Sequence, residues 1–184
     1  MAAQWYRQVG PILSAYFDEL TKAMTWLGEH PKTLFVGQQT RYPGQRMHAS
    51  LSGVPMERRI EMPVAENFQM GFCTGLALEG YLPICSFPRM DFLIIAADQL
   101  INHLDKLPRL AGIRPKVIIR TAIGSDHPLN PGPQHTQDHC KGLRAMLKSI
   151  PVVELLSRGE VMPTYEWALK LEGSSIIVER MEHY

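Results

Sequence analysis

Glu66 stands where an apolar, strand-like approach, Met62-Pro63-Val64, gives way to a helix-patterned run with glycines at 71 and 75. Charged groups avoid interiors unless paired or used, so this carboxylate needs a partner or a task. By itself it also fits a plain reading, since a helix dipole favours a carboxylate near its N-terminus by about 0.3–1 kcal/mol. A second concentration of chemistry-bearing residues runs from Ser125 to Cys140 and holds Asp126, His127, His135, Asp138 and His139. On a helix His135 and His139 would share a face, as paired zinc ligands do. The zinc-protease motif needs Glu directly after the first His, however, and Thr136 stands there, so no metal site is expected. Ser125-Asp126-His127 is not a triad, because triad partners converge in space rather than sit side by side in a loop. There is no G-x-S-x-G, no G-x-x-x-x-G-K-[ST], no G-x-G-x-x-G after a strand, and no Gly-Asp-Gly.

The elements that must position these residues can be read from periodicity. Tyr16, Phe17, Leu20, Ala23, Met24 and Leu27 recur at helical spacing, closed by Gly28 and Pro31. Strands are expected over 33–36, 59–64, 81–87, 116–123, 152–156 and 175–178. Further helices are expected over 67–79, 91–107, 134–147 and 161–171, with 41–54 and 124–133 as loops. Strands alternating with helices of this length call for βαβ units, and apolar runs such as Val117-Ile118-Ile119 suit strands buried on both faces. The fold class is therefore α/β, a three-layer α/β/α arrangement around a mostly parallel sheet. Ligands of such sheets sit beyond the carboxyl ends of the strands. Three junctions there carry chemistry: Glu66 after 59–64, Arg89 to Phe92 after 81–87, and His127 with His135 after 116–123. Gly71 and Gly75 each cost about 1 kcal/mol inside a helix. They imply close backbone approach, either to the domain's own sheet or to another subunit.

Composition bounds the rest. The chain has 184 residues, 45% hydrophobic and 20% charged, with a formal net charge of +1. That suits a single domain over residues 1–184, with 1–13 as an N-terminal extension, and gives no sign of a nucleic-acid or membrane partner. Cys73, Cys85 and Cys140 lack CxxC spacing and are expected as reduced thiols. Met1 to Gly10 is no signal peptide, so the expected location is cytoplasmic.

An ordered set of residues adds a resemblance to these readings: Pro63-x-x-Glu66, Gly71, Gly75, Gly80, Pro83-Ile84, Asp91-Phe92, Asp98-Gln99, Asn102, then Gln134-His135-Thr136-Gln137 and the ending from Ile176 to Tyr184. The set resembles the pyrimidine-binding domain of thiamine-diphosphate enzymes, closest to the beta subunits of the pyruvate and branched-chain 2-oxoacid dehydrogenases. Gln134 to Gln137 is similar to that family's Q-H-S-Q. The resemblance implies thiamine diphosphate as cofactor, with the glutamate at Glu66 hydrogen-bonded to N1′ of the aminopyrimidine ring, the contact that activates the cofactor. It implies that Phe92 packs on that ring and that His135 stands by the reacting intermediate. Glu66 and His135 are thus the catalytic candidates, and Glu66 and Phe92 the cofactor contacts.

Two departures bear on substrate. Ser125 to Pro131 replaces a glycine-rich loop of the family, and Arg89 stands where an uncharged residue is usual. Arg89 and His127 become candidate substrate-pocket residues, in a pocket altered for an anionic or larger acceptor rather than for pyruvate. Family beta subunits also continue into a carboxy-terminal domain, whereas this chain stops at Tyr184; it is expected to be a fragment or a stand-alone pyrimidine domain. Either way an alpha-like partner with Gly-Asp-Gly would supply Mg²⁺ and the diphosphate contacts, in an α2β2 assembly containing a homodimer. The expected reaction is decarboxylation of a 2-oxoacid with transfer of the remaining unit. The alternatives are a transketolase-type ketol transferase, a non-oxidative carboligase, or a non-catalytic assembly subunit.

Overall fold

A computed structural model describes residues 14–124 and 131–184. Six parallel strands form one sheet: β1 (Thr33–Gly37), β2 (Arg59–Glu61), β3 (Leu82–Phe87), β4 (Ile118–Ile123), β5 (Val152–Glu154) and β6 (Ser175–Arg180), in the order β2-β1-β3-β4-β6-β5. The interior strands are buried along their length because helices cover both faces. One face sends Phe35, Ile84, Ile118 and Ile177 into a core with α1 (Ala15–Glu29) and α7 (Arg158–Lys170). The other sends Val36, Cys85, Phe87, Ile119 and Val178 toward α3 (Glu66–Leu78) and the helical segments from Met90 to Leu104. The expected three-layer α/β/α architecture is the observed one.

Local chemistry explains where the elements begin and end. Ser14 accepts a hydrogen bond from Phe17 N at 3.2 Å and caps α1, whose buried positions form one stripe. At the start of α7 the Glu160 carboxylate reaches back to Leu156 N at 2.7 Å, close to a capping box. β2 is shorter than the expected 59–64. Met62 N still bonds to Gly37 O at 2.9 Å, but Pro63 has no N–H, and Ala65 N turns back to Pro63 O at 2.8 Å.

The helix expected over 91–107 is broken into α4 (Met90–Leu93), a 3₁₀ turn (Ile94–Ala96), a π-helical stretch (Asp98–Leu104) and α5 (Leu107–Ala111). Its apolar pattern persists across the breaks, with Leu93, Ala96, Leu100 and Leu104 all buried. The widened turns keep Ala96, Leu100 and Leu104, spaced by four, over one face. The helix expected over 134–147 begins only at α6 (Cys140–Met146). Ahead of it the chain is held by side chains instead: Asp138 Oδ1 accepts from Cys140 N at 2.8 Å, and His139 N donates to Met90 Sδ at 3.1 Å.

The sheet also contains a buried ion pair. Arg120 on β4 and Glu179 on β6 are both fully buried, and Arg120 Nη2 bonds Glu179 Oε2 at 3.0 Å while Nε bonds Oε1. Tyr165 OH donates to Glu179 Oε1 at 2.7 Å, Tyr184 OH donates to Oε2, and Arg120 Nη1 donates to Ser50 Oγ at 2.8 Å. The pair thus ties the two strands to α7, to the chain's last residue and to the residue after the one-turn helix α2 (Arg46–Ala49).

Candidate functional site

The chain moves from β1 outward to β2 and then back across β1 to β3, so the direction of winding reverses between β1 and β3. A crevice opens beyond the carboxyl ends of strands at such a reversal. Gly37 pairs with Ser86 there, and a Cβ on Gly37 would lie 2.3 Å from Ser86 O. Only glycine lets the two strands end this close.

Past Gly37 the loop is shaped by Glu61, the last residue of β2. Its carboxylate accepts from Gln39 N at 2.7 Å and from Thr40 N and Arg41 N at 2.8 Å each. Gln39 adopts a positive φ of 62° to make this turn. The loop so held directs Gln38 to Glu66, and Gln38 Nε2 donates to Glu66 Oε1 at 2.9 Å. Glu66 is the first residue of α3 and only 4% exposed. Among the described residues no cation pairs with it. Nothing in the sequence marks Gln38, in a polar loop, or Glu61, at the end of a short strand, as the side chains that turn inward.

The opposite wall follows β3. Phe92 and His135 meet edge to face, with ring centroids 5.4 Å apart, and Gln137 Nε2 donates to Asp91 Oδ1 at 2.7 Å. The segment carrying His135 is therefore fastened to α4 at the histidine's ring and again just after it, at Gln137. Among the described residues, His135 Nδ1 and Asp91 Oδ2 are buried without hydrogen-bond partners. Arg89, just ahead of α4, donates from Nη1 to Gly124 O at 2.7 Å, beyond the end of β4. Burial lowers its affinity for its proton. His127 lies outside the described residues. Phe92 and His135 are thus brought into contact, whereas Glu66 shares the same end of the sheet without a hydrogen bond or ring contact to either. One turn into α3, Gln69 bonds Ser86 O at 2.9 Å through Nε2, while its Oε1, Ser86 Oγ and Thr121 Oγ1 stay unpartnered among the described residues. Buried polar atoms without partners are rare in folded chains, and several gather here.

Other clusters do not compete. The premise that His135 and His139 share a helix face fails, because the helix starts after both. Asp138, Cys140 and Glu154 place potential ligand atoms within 4.8 Å of one another. Glu154, however, is already bonded by Arg144 at 2.9 Å and Arg180 at 2.6 Å, and burial with Asp138 beside it pushes the Cys140 thiol up, away from the thiolate a metal needs. A groove of about 370 Å³ runs between β5 and α7, lined by residues including Val153, Glu160 and Trp167. It lies at the edge of the sheet, three strands from β3, and its one carboxylate, on Glu160, is the cap already described.

The two glycines of α3 separate cleanly. A Cβ on Gly71 would meet Gln99 Oε1 at 3.2 Å, so Gly71 serves close packing within the chain; at Gly75 nothing lies within 4 Å. Gly75 belongs to the outer face of α3, where Phe68 (61% exposed), Phe72 and Leu78 stand uncovered, Phe68 and Phe72 stacking at 6.1 Å. Val64, Ile94 and Ile95 are uncovered as well. Among the described residues, no helix is long and apolar enough to cross a membrane.

No protein-family model matches the chain. Among curated proteins, the pyruvate dehydrogenase E1 component subunit beta of Cyanidium caldarium is 29% identical over 102 residues, which cover 54% of this chain and 29% of that protein. The mitochondrial E1 subunit beta of Rattus norvegicus is 32% identical over 98 residues, 49% of this chain and 27% of that one. Of the solved structures, a split-gene transketolase in an inactive beta4 tetramer superposes with a TM-score of 0.66 over 89% of this chain and 50% of that chain, at 22% identity. These findings fit a beta-like, pyrimidine-domain protein. The chain spans less than a third of the length of the curated relatives it matches, and the transketolase likeness speaks for the fold.

Proposed function

We propose that the chain is the pyrimidine-binding, beta-like subunit of a thiamine-diphosphate enzyme that decarboxylates a 2-oxoacid and passes on the remaining unit. The observation that carries this reading is the buried Glu66 carboxylate, at the first turn of α3 and at the winding reversal, with an amide on one oxygen and no cation. Such a carboxylate fits the ring nitrogen of an aminopyrimidine, and an aromatic face and an unpartnered imidazole nitrogen stand at the same end of the sheet. The E1 beta relatives support the same reading.

Thiamine diphosphate, when bound, supplies the electron sink for cleaving a bond next to a carbonyl carbon. The remaining work belongs to this chain. Glu66 would share a proton with the pyrimidine's ring nitrogen through one oxygen, and Gln38 holds the other so that the carboxyl group cannot rotate away. Phe92 packs on the ring and, with Gln137, keeps His135 in place. His135 would hold or pass a proton at its imidazole.

Gly-Asp-Gly occurs nowhere in the chain, so we assign the diphosphate and Mg²⁺ to an alpha-like partner. The uncovered face of α3 supports subunit contact, including contact between copies of this chain. The split-gene transketolase likeness favours a second reading, a ketol transferase built on the same module.

The test is affinity purification of the tagged chain from its native cells, identifying every co-purifying protein and any thiamine diphosphate. The expected result is a Gly-Asp-Gly partner with cofactor, 2-oxoacid turnover and no ketol transfer from a sugar phosphate. A chain that emerges alone and cofactor-free, with Mg²⁺ and thiamine diphosphate in the buffer, would overturn the two-chain reading. Full turnover by a complex carrying Glu66→Gln would instead make this a non-catalytic assembly subunit.

A further inference from the structure

The arginines of this fold differ in how completely they are used. The two fully enclosed ones, Arg59 and Arg120, each commit Nε, Nη1 and Nη2 inside the molecule. Arg59 bonds the carbonyls of Leu51, Val54 and Thr40, and Arg120 bonds Glu179 and Ser50. Arg89 is half-buried and, among the described residues, commits only Nη1, to Gly124 O at 2.7 Å. Among the described residues it forms no ion pair, although two carboxylates lie nearby. Asp91 acts on Arg89 through its charge but bonds Gln137 instead, through Oδ1 at 2.7 Å, and Glu182, against which Gly124 packs, is bonded by Arg180 at 3.3 Å.

A half-buried guanidinium with no carboxylate bonded to it is costly to keep, and its fork suits carboxylate or phosphate oxygens. The bond to Gly124 holds Arg89 across the ends of β3 and β4. Glu66 stands on the other side of β3, at the reversal next to β1. A molecule reacting in the crevice and lying across the strand ends would extend its far end to Arg89.

We propose that Arg89 receives an anionic group, a second carboxylate or a phosphate, carried by the substrate or acceptor at the end remote from its reacting carbonyl. This rests on the thiamine-diphosphate reading of the site, and it narrows the substrate class from 2-oxoacids in general to molecules with a distal anion.

Two measurements test it. In the assembled complex, 2-oxoglutarate is compared with 2-oxopentanoate, its analogue with an uncharged end, and glyceraldehyde 3-phosphate is compared with glyceraldehyde as acceptor. The wild type should favour the anion-bearing member of at least one pair by tenfold or more in kcat/KM. Arg89→Met should bring that ratio to within about twofold, chiefly through KM. Whichever pair discriminates identifies the group as carboxylate or phosphate, and equal use of both members in both pairs overturns the proposal.

In the isolated full chain, the ¹⁵N Nε resonance of Arg89, assigned by its loss in Arg89→Met, should shift on addition of glutarate or inorganic phosphate. An unmoved resonance also overturns the proposal. This arm does not use thiamine diphosphate, so a shift here, with no cofactor and no partner found on purification from native cells, would mean that the enzymatic reading has failed while the anion site stands.

Discussion

Glu66 owes its position to residues that do no chemistry themselves. Glu61 gathers three backbone N–H groups, that loop aims Gln38, and Gln38 bonds the catalytic candidate. Replacing Glu66 by Gln keeps the shape but loses the anion, so turnover by the assembled complex should fall by a factor on the order of 10²–10⁴. Cofactor binding, followed by protein fluorescence, separates a lost contact from a lost fold. Gly37→Ala addresses the crevice directly. Its Cβ would sit 2.3 Å from Ser86 O, and backbone cannot give way as a flexible side chain can. We expect about 1–3 kcal/mol of destabilisation in urea unfolding, together with weaker thiamine diphosphate binding, because the ends of β1 and β3 must part.

At the scale of the element, α3 is a helix with two working faces. Its inner side packs Met70 and Cys73 into the core and carries Glu66 and Gln69; its outer side leaves Phe68, Phe72 and Leu78 bare around an open Gly75. The pair Phe68→Asp and Phe72→Asp should reduce self-association in light scattering without changing the far-UV circular dichroism. Gly75→Ala separates two roles of the glycine. In the isolated chain it should stabilise the helix by about 0.5–1 kcal/mol, since nothing opposes the added methyl. If the face closes on a second subunit at Gly75, the same change should weaken that association, measured by sedimentation.

The whole molecule is held across the sheet by Arg120 and Glu179. Arg120→Met leaves Glu179 buried and uncompensated, which costs about 3–5 kcal/mol. Adding Glu179→Leu should restore part of that loss in thermal unfolding. The same network sets an alkaline limit. Tyr165 and Tyr16 are buried, and desolvation with Glu179 nearby raises both hydroxyl pKa values above the ordinary 10. A raised folded-state pKa contributes stability that is fully present below the unfolded value and is lost as pH rises through the folded one. From about pH 10 upward, unfolded tyrosines lose protons that folded ones keep, so stability should fall by about 1.4 kcal/mol per pH unit for each. Tyr165→Phe should flatten that slope in unfolding measured between pH 9 and 11.

Much of this was legible in order along the chain. Apolar runs without alternation required strands buried on both faces, helical stripes supplied the covering layers, and the strand-to-helix junctions placed Glu66, Arg89, Phe92 and His135 at one end of a parallel sheet. Those features depend on neighbours in sequence, and local periodicity carries them. The fate of residues 134–139 does not: nothing in the polar run Gln-His-Thr-Gln-Asp-His marks where the helix starts, and Asp91 and Met90, which hold Gln137 Nε2 and His139 N, are not near in sequence. Gln38, Glu61 and the partners of Arg120 were silent for the same reason, since a polar side chain acquires its role from what folding brings opposite it. Sequence alone determined the sheet, its layers and the end where chemistry would gather. Tertiary structure decided which polar atoms there are satisfied and which, like His135 Nδ1 and the free end of Arg89, are left for something else to meet.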